Sequence, residues 1–592
     1  MKNVLNTFKI VLCFALLTTS CKKDFLETKP LSEFSSADVW KDPALAKTFV
    51  NGIYTGLDQS MQKYMKAVFS DEGHRRDNTA VFNFNIGLMT PDGIPGWNSE
   101  NWQKLYASVR KCNLFLTNIE NATFDNKAMI GEVRFLRAWI YYSLTSLYGG
   151  VPIITKVYEL TDDFKAPRDT YEDCIKFMVD DLNHAASVLP VVQSGENNGR
   201  ATKGAALALK ARVLLYAASD LYNTSVFPGY VHPKLIGYTD GNRAARWQAA
   251  KDAAKAVIDL NAYSLYKPNP APADSIARNY EELFITKVTI EDIWLRYYSA
   301  SVPIIGENVN SLSLMNGPNG NGGQGNNAPT GNMVDAFEMR DGTKFDWNNA
   351  AHAASPYYYR EPRFYAYILY EGAKWVTRPS YSIGLDPLGI IHVGYFEKWN
   401  NATNQVVLEP GIDSRSSPYE PNNSGQTLYL ARKFLDPKVL PSAGTRQEVS
   451  WRYMRYAEVL LNYAEACIEL GQDAEARTYI NMIRKRAGLP DVTESGANLR
   501  ARYRNERRIE LMYEDQRFYD VRRWVIGPEG YNKVYKANVL YKLLSDKTTS
   551  TVPTIKHEVL ETRAWIDRAY FFPILRTEMN KNDKLVQNPG YN

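Results

Sequence analysis

Cysteine is scarce in this 592-residue chain: there are five, Cys13, Cys21, Cys112, Cys174 and Cys467, and none share a Cys-x-x-Cys spacing. That excludes a disulfide-built scaffold and a thiolate zinc site. Cys112, Cys174 and Cys467 fall in helical contexts and read as small buried hydrophobes. Histidine is also sparse, with six residues and neither His-Glu-x-x-His nor His-x-His, which argues against a zinc hydrolase. No Gly-x-Ser-x-Gly elbow occurs, and Ser60-Met61-Gln62-Lys63 stands without the other motifs that would make it catalytic. The glycine-rich run Asn316 to Gly331 reads as a flexible or turn-rich loop and lacks the Gly-Lys-Ser/Thr of a phosphate cradle. There is no block of Lys and Arg, and the formal charge is only +5, so nucleic acid is not an expected partner. No segment reaches the roughly 20 apolar residues a membrane-spanning helix needs. Paired carboxylates for glycoside hydrolysis depend on separation in space, which the sequence leaves open.

What is present begins at the amino end. Lys2 and Lys9 give a charged start, and an eight-residue uncharged run follows, Ile10 to Leu17, with the length of a secretory signal's apolar region. The stretch Leu17-Thr18-Thr19-Ser20-Cys21 resembles a bacterial lipobox, although Thr18 stands where Leu is usual. The resemblance implies a signal peptide over residues 1–20 and lipid on the Cys21 thiol. Buried acyl chains contribute about 0.8 kcal/mol per methylene, so several together give lasting anchorage. Lys22-Lys23-Asp24 resembles the charged tags of lipoproteins exported to the surface in Bacteroidetes. A mature chain starting at Cys21 loses Lys2 and Lys9 and carries a net charge of +3.

Aromatics are abundant: 39 Tyr, 23 Phe and 12 Trp, many in stretches rich in Gly, Pro and Asn. Several segments are amphipathic at helical spacing. Val133, Leu136, Ile140, Leu144 and Leu147 form one face, which Gly149-Gly150 and Pro152 stop. Further helices are predicted from about Tyr171 to Leu189, from Thr202 through an Ala-rich run, over Trp247 to Leu260, and over Arg502 to Trp524. Tyr456 to Pro490 reads as a helical hairpin turning at Gly471-Gln472-Asp473, with Ala464, Gly471 and Ala476 where a tetratricopeptide unit places its small residues. From about Val302 to Ser450 the helical periodicity fades. The chain thus divides into 21–300, 301–450 and 451–592, with 21–592 expected to form one compact unit.

Six stretches, in this order, resemble the SusD/RagB family of outer-membrane lipoproteins: RFLRAWIYYSLTSLYGGVPII, ATKGAALALKARVLLYAAS, APTGNMVDAFEMRDG, RYAEVLLNYAEACIELG, RNERRIELMYEDQRFYDVRRW and FFPILRTEMNKNDKLVQNPGY. The resemblance implies a mainly α fold, with tetratricopeptide-like hairpins in a right-handed superhelical scaffold and a large irregular, loop-rich, ligand-bearing lobe. It also implies a lipid-anchored binder on the outside of the outer membrane. Its partner would be a SusC-like TonB-dependent transporter, and its ligand a nutrient, usually a glycan and in some relatives a peptide. No catalysis and no cofactor are implied; a structural Ca²⁺ in acidic loops is left open. A surface glycan hydrolase is the rival from another class.

Glycan binding calls for flat rings against the sugar's C–H face and polar side chains for its hydroxyls. The polar cluster Asp71, Glu72, His74, Arg75, Arg76 and Asp77 fits the second need. Trp97 and Asn98 lie in a Gly/Pro turn, where Trp97 resembles by position the family's ligand-binding tryptophan. Trp102 reads as core. Trp347, Trp375, Trp399 and Tyr357-Tyr358-Tyr359 are further candidate platforms, and Trp347, Trp375 and Tyr358 are the ones retained. The alternating charges of Arg507, Arg508, Glu510, Glu514, Arg517, Asp520 and Arg522 read as an ion-pair network tying helices together.

Overall fold

The structure is a computed structural model that describes residues 39–57, 65–76, 79–97, 101–159, 161–299, 312–417, 419–441 and 447–591. Cys21, Asp77, Asn98 and Ser60 to Lys63 lie outside the described residues. Eleven helices of eight or more residues are described. They are α1 (Pro43–Tyr54), α2 (Trp102–Ile119), α3 (Lys127–Tyr148), α4 (Tyr171–Val188), α5 (Lys203–Ala218), α6 (Arg243–Asp259), α7 (Ile276–Ile285), α8 (Tyr456–Glu469), α9 (Asp473–Arg486), α10 (Gly496–Glu510) and α11 (Gln516–Arg523).

The local signals act where the sequence placed them. Thr170 and Thr202 cap α4 and α5 by accepting the Asp173 and Ala205 N–H groups. Gly149 ends α3 with a positive φ of 77°, and Gly471, at 73°, turns α8 into α9. The helices stack in series: α2 on α3, α3 on α4, α4 on α5, α5 on α6, α6 on α8, and α8 on α9 and α10. Alanines at 205, 206, 208, 211 and 254 are buried in this stack and let the backbones approach closely. The fold is thus mainly helical, in tetratricopeptide-like pairs.

The one predicted helix over 502–524 is instead two. Tyr513 and Asp515 adopt left-handed backbone, with φ 63° at each, and break it between α10 and α11. The break carries Glu514 to Arg455 and Lys433, whose nitrogens lie 2.6 and 2.7 Å from its carboxylate. The charges here do form a network, largely between distant segments rather than along one helix. Arg455 joins Glu291, Glu510 and Glu514 at 2.6, 2.8 and 2.6 Å, and Arg363 joins Glu361, Glu506 and Glu510.

Among the described residues, ten short strands complete the frame: β1 (Gly73–Arg75), β2 (Asp292–Tyr298), β3 (Asn327–Pro329), β4 (Ile368–Leu369), β5 (Tyr395–Asn400), β6 (Gln405–Pro410), β7 (Leu430–Ala431), β8 (Val449–Arg455), β9 (Lys533–Tyr541) and β10 (Thr554–Thr562). β10, β9, β5 and β6 form a four-stranded sheet in that order, with β5 parallel to β9. β2 pairs antiparallel with β8, joining the two helical parts. The glycine-rich run is turn-rich but buried rather than loose: Asn319, Asn321, Asn326 and Asn327 are at most 1% exposed. At Gly323 an added Cβ would lie 2.2 Å from the Gly317 carbonyl oxygen, so only glycine permits this packing. The carboxyl-terminal segment is anchored, with Asn588 donating to the Tyr148 and Phe572 carbonyls at 3.0 and 2.8 Å.

Candidate ligand-binding surface

Trp97 is part of the core. It is 7% exposed and packs among Phe69, Phe84, Phe518 and Phe572, with ring centroids 5.0–6.1 Å apart. The Gly/Pro turn around it points the ring inward, because four aromatics, two of them from near the other end of the chain, are there to receive it. Asp71 and Arg75 are also interior, at 7% and 0% exposed. Asp71 accepts two 2.8 Å hydrogen bonds from Arg517 and lies 3.1 Å from Arg508. Burial alone pushes its carboxyl up, but the two guanidiniums outweigh this and hold it at about 2. Its role is to tie β1 to α10 and α11.

Glu72, beside it, is pushed by burial up to about 8. Its folded pKa thus stands above the ordinary carboxyl value of 4.5. The stabilising contribution of the neutral acid is complete below pH about 4.5 and is lost as pH rises toward 8. Glu72→Gln keeps the neutral shape. It is expected to raise the melting temperature at pH 8 by about 3 °C and to leave it unchanged at pH 4. Melts at the two pH values check this; equal shifts at both would reject it.

The remaining candidates are nearer the surface. Arg76 is half-buried, contacts Asn423 and donates to the Gln324 carbonyl. Trp347 is half-buried, donates to Asp335 at 3.0 Å and stacks on His557. Trp375 is half-buried beneath the Arg432 guanidinium. Tyr358 is 74% exposed next to Tyr359. These four do not form one cluster of ring contacts.

A more coherent surface lies where the sequence singled nothing out. Tyr381, 53% exposed, stacks on Tyr419 with centroids 5.1 Å apart and planes within 8°. The loop that carries Tyr419 also carries Arg415 and Ser416 into a groove of about 660 Å³. Its other walls are Tyr395 and Leu408 from β5 and β6, Gln426, and Lys536 and Asn538 from β9. Tyr395 Oη and Ser416 Oγ are 2.8 Å apart, joining the two sides.

The loops are pinned from beneath. Arg378, buried, sits 2.6 Å from Asp413 and 2.8 Å from Asp386. Asp413 also accepts the Gly320 and His392 N–H groups at 2.9 and 3.0 Å. Asn319 donates to the Ser414 and Glu420 carbonyls. The glycine-rich run is therefore the floor on which the Tyr381 and Tyr419 loops rest. Only the Gly/Pro context around Tyr381 hinted at this; the pairing across 38 residues is set by the buried knot.

Among the described residues, no group of three or more His, Cys, Asp or Glu side chains is arranged to hold a metal ion. No helix among them is long and apolar enough to cross a membrane. The three described cysteines are buried, and burial pushes each thiol up to about 12, as expected of packing residues.

Comparison with known proteins agrees with this architecture. Residues 293–591 match the SusD family model, and residues 24–215 match a model described as "Starch-binding associating with outer membrane". A SusD-like protein, P38, from Formosa agariphila is 25% identical over 89% of this chain and 93% of its own length. The crystal structure of a SusD-like protein from Bacteroides fragilis is 30% identical, with a TM-score of 0.71 over 94% of this chain and 98% of that one. A second B. fragilis structure, a SusD-like carbohydrate-binding protein, is 23% identical with a TM-score of 0.70 over 93% of this chain and all of that one, a likeness of fold. With the helical pairs, the ordered motifs and matches of this extent in agreement, the chain belongs to the SusD family.

Proposed function

We propose that this protein binds a saccharide at the Tyr381–Tyr419 pair and the adjoining groove, without altering any covalent bond. Lipid on Cys21 holds it at the outer membrane, facing outward, and it passes the ligand to a TonB-dependent barrel. The observation that carries the reading is the parallel tyrosine pair, Tyr381 exposed and Tyr419 half-buried, fixed by a buried ionic knot beside a groove of hydroxyl, amide and guanidinium groups. Such a surface offers a flat face to a sugar ring and partners to its hydroxyl rim, with little ordering left to do on binding. Support also comes from the starch-binding description of the matching family model and from a fold shared with a laminarin-binding SusD-like protein.

Each ring is worth about 1 kcal/mol, so losing both weakens binding by about 30-fold. Tyr381→Ala/Tyr419→Ala is therefore expected to lose retardation in gels containing the retained glycan of a neutral panel, while its melting temperature stays within 2 °C of the parent, about 2–3 kcal/mol for a chain of this length. Unchanged retardation would reject the site. Shorter glycan products from purified protein would favour the hydrolase instead.

A further inference from the structure

A second groove, of about 460 Å³, lies on the face of α10, and the proposal above makes no use of it. Arg500, Arg504 and Arg508 are spaced by four residues and line it from one helical face, with Ala497 and Ala501 leaving room between them. Lys344 and Arg517 add two further cations, against Asp335 and Glu529.

The carboxylates that serve these cations are shared or already committed. Asp71 serves both Arg508 and Arg517. Asp220 is paired with Arg243 and lies 3.7 Å from Arg504, and Glu469 is shared between Arg500 and Arg243. Asp335 is committed to His557 and Trp347. No carboxylate among the described residues pairs with exposed Lys344. The Arg504 guanidinium lies over the Trp524 ring, 4.8 Å from its centroid.

Burial pushes Arg504 and Arg508 below the usual guanidinium range. Arg507 and Arg523 stand above it, because close carboxylates outweigh their burial. Arg517 likewise stands above it, held by Asp71. The under-served cations of the groove are thus Lys344, Arg504 and Arg508, and planar guanidiniums suit an oxyanion.

We propose that this groove binds the oxyanion of an acidic saccharide, a sulfate ester or a carboxylate, at a site separate from the Tyr381 surface. The test is retardation of the full chain in gels carrying dextran, dextran sulfate or carboxymethyl dextran. Lys344→Ala/Arg504→Gln is compared with a charge-matched control, Lys111→Ala/Lys127→Ala, and melting temperatures report folding. The expected result is retardation by one or both anionic polymers but not by dextran. It should be weakened about tenfold in the groove variant, and unchanged in the control and in Tyr381→Ala/Tyr419→Ala. Which polymer is retained distinguishes sulfate from carboxylate. Equal retardation of the groove and control variants would overturn the proposal, as would equal binding of polyglutamate, which would mark an acidic-peptide site. Should the double variant melt early, Lys344→Ala alone replaces it, with a twofold or greater loss expected and no loss overturning the proposal.

Discussion

Arg455→Met will cost this protein about 3–5 kcal/mol, a large part of a typical domain's total stability. Arg455 is 1% exposed and faces Glu291, Glu510 and Glu514, which are themselves at most 6% exposed. Removing the guanidinium leaves three carboxylates with a shared cation gone and no water to replace it. Arg486 and Arg363 still reach Glu510, and Lys433 still reaches Glu514, so the loss is partial rather than total. The contrast is Lys255→Ala, which breaks an exposed pair with Asp259 one helical turn away. Such pairs contribute about 0.5 kcal/mol or less. Thermal or denaturant unfolding of the two variants checks the ratio; comparable losses would show that the Arg455 cluster is not what holds β8 against α10.

Arg378→Met is expected to weaken glycan retention by at least about tenfold. The same change leaves Asp413 and Asp386 buried without their cation. These are the residues that hold the Tyr381 and Tyr419 loops in place. Because the knot is local, the helical stack should keep its fold and the damage should appear as protease cleavage within 379–388 and 411–424. Intact loops with full retention would show that the tyrosines are positioned by something else.

Much of the helical scaffold was legible because its signals are local. Thr170, Thr202, Gly149 and Gly471 act within one turn of their own helices, so neighbouring residues suffice to place them. The family's ordered motifs added the fold as a whole. The site was much less legible. Asp71 and Arg75 looked like a solvated charge cluster because the arginines that neutralise Asp71 arrive from more than 400 positions away. Trp97 looked exposed because its turn is rich in Gly and Pro, yet two of the rings that cover it, Phe518 and Phe572, lie near the other end of the chain. Similarly, no periodicity announces that Tyr381 and Tyr419 meet. The helix break after Glu510 has the same origin: Arg455 and Lys433 draw Glu514 out of helical register.

Within the loop from Arg378 to Leu388, fixed and free positions interleave. Arg378, Ser382 and Asp386 are at most 6% exposed, whereas Tyr381, Ile383, Leu385 and Leu388 are 40–70% exposed. The outward side chains can therefore be exchanged without disturbing the footing beneath them. A chain built this way can change what it recognises by altering a few surface letters, leaving its foundation untouched.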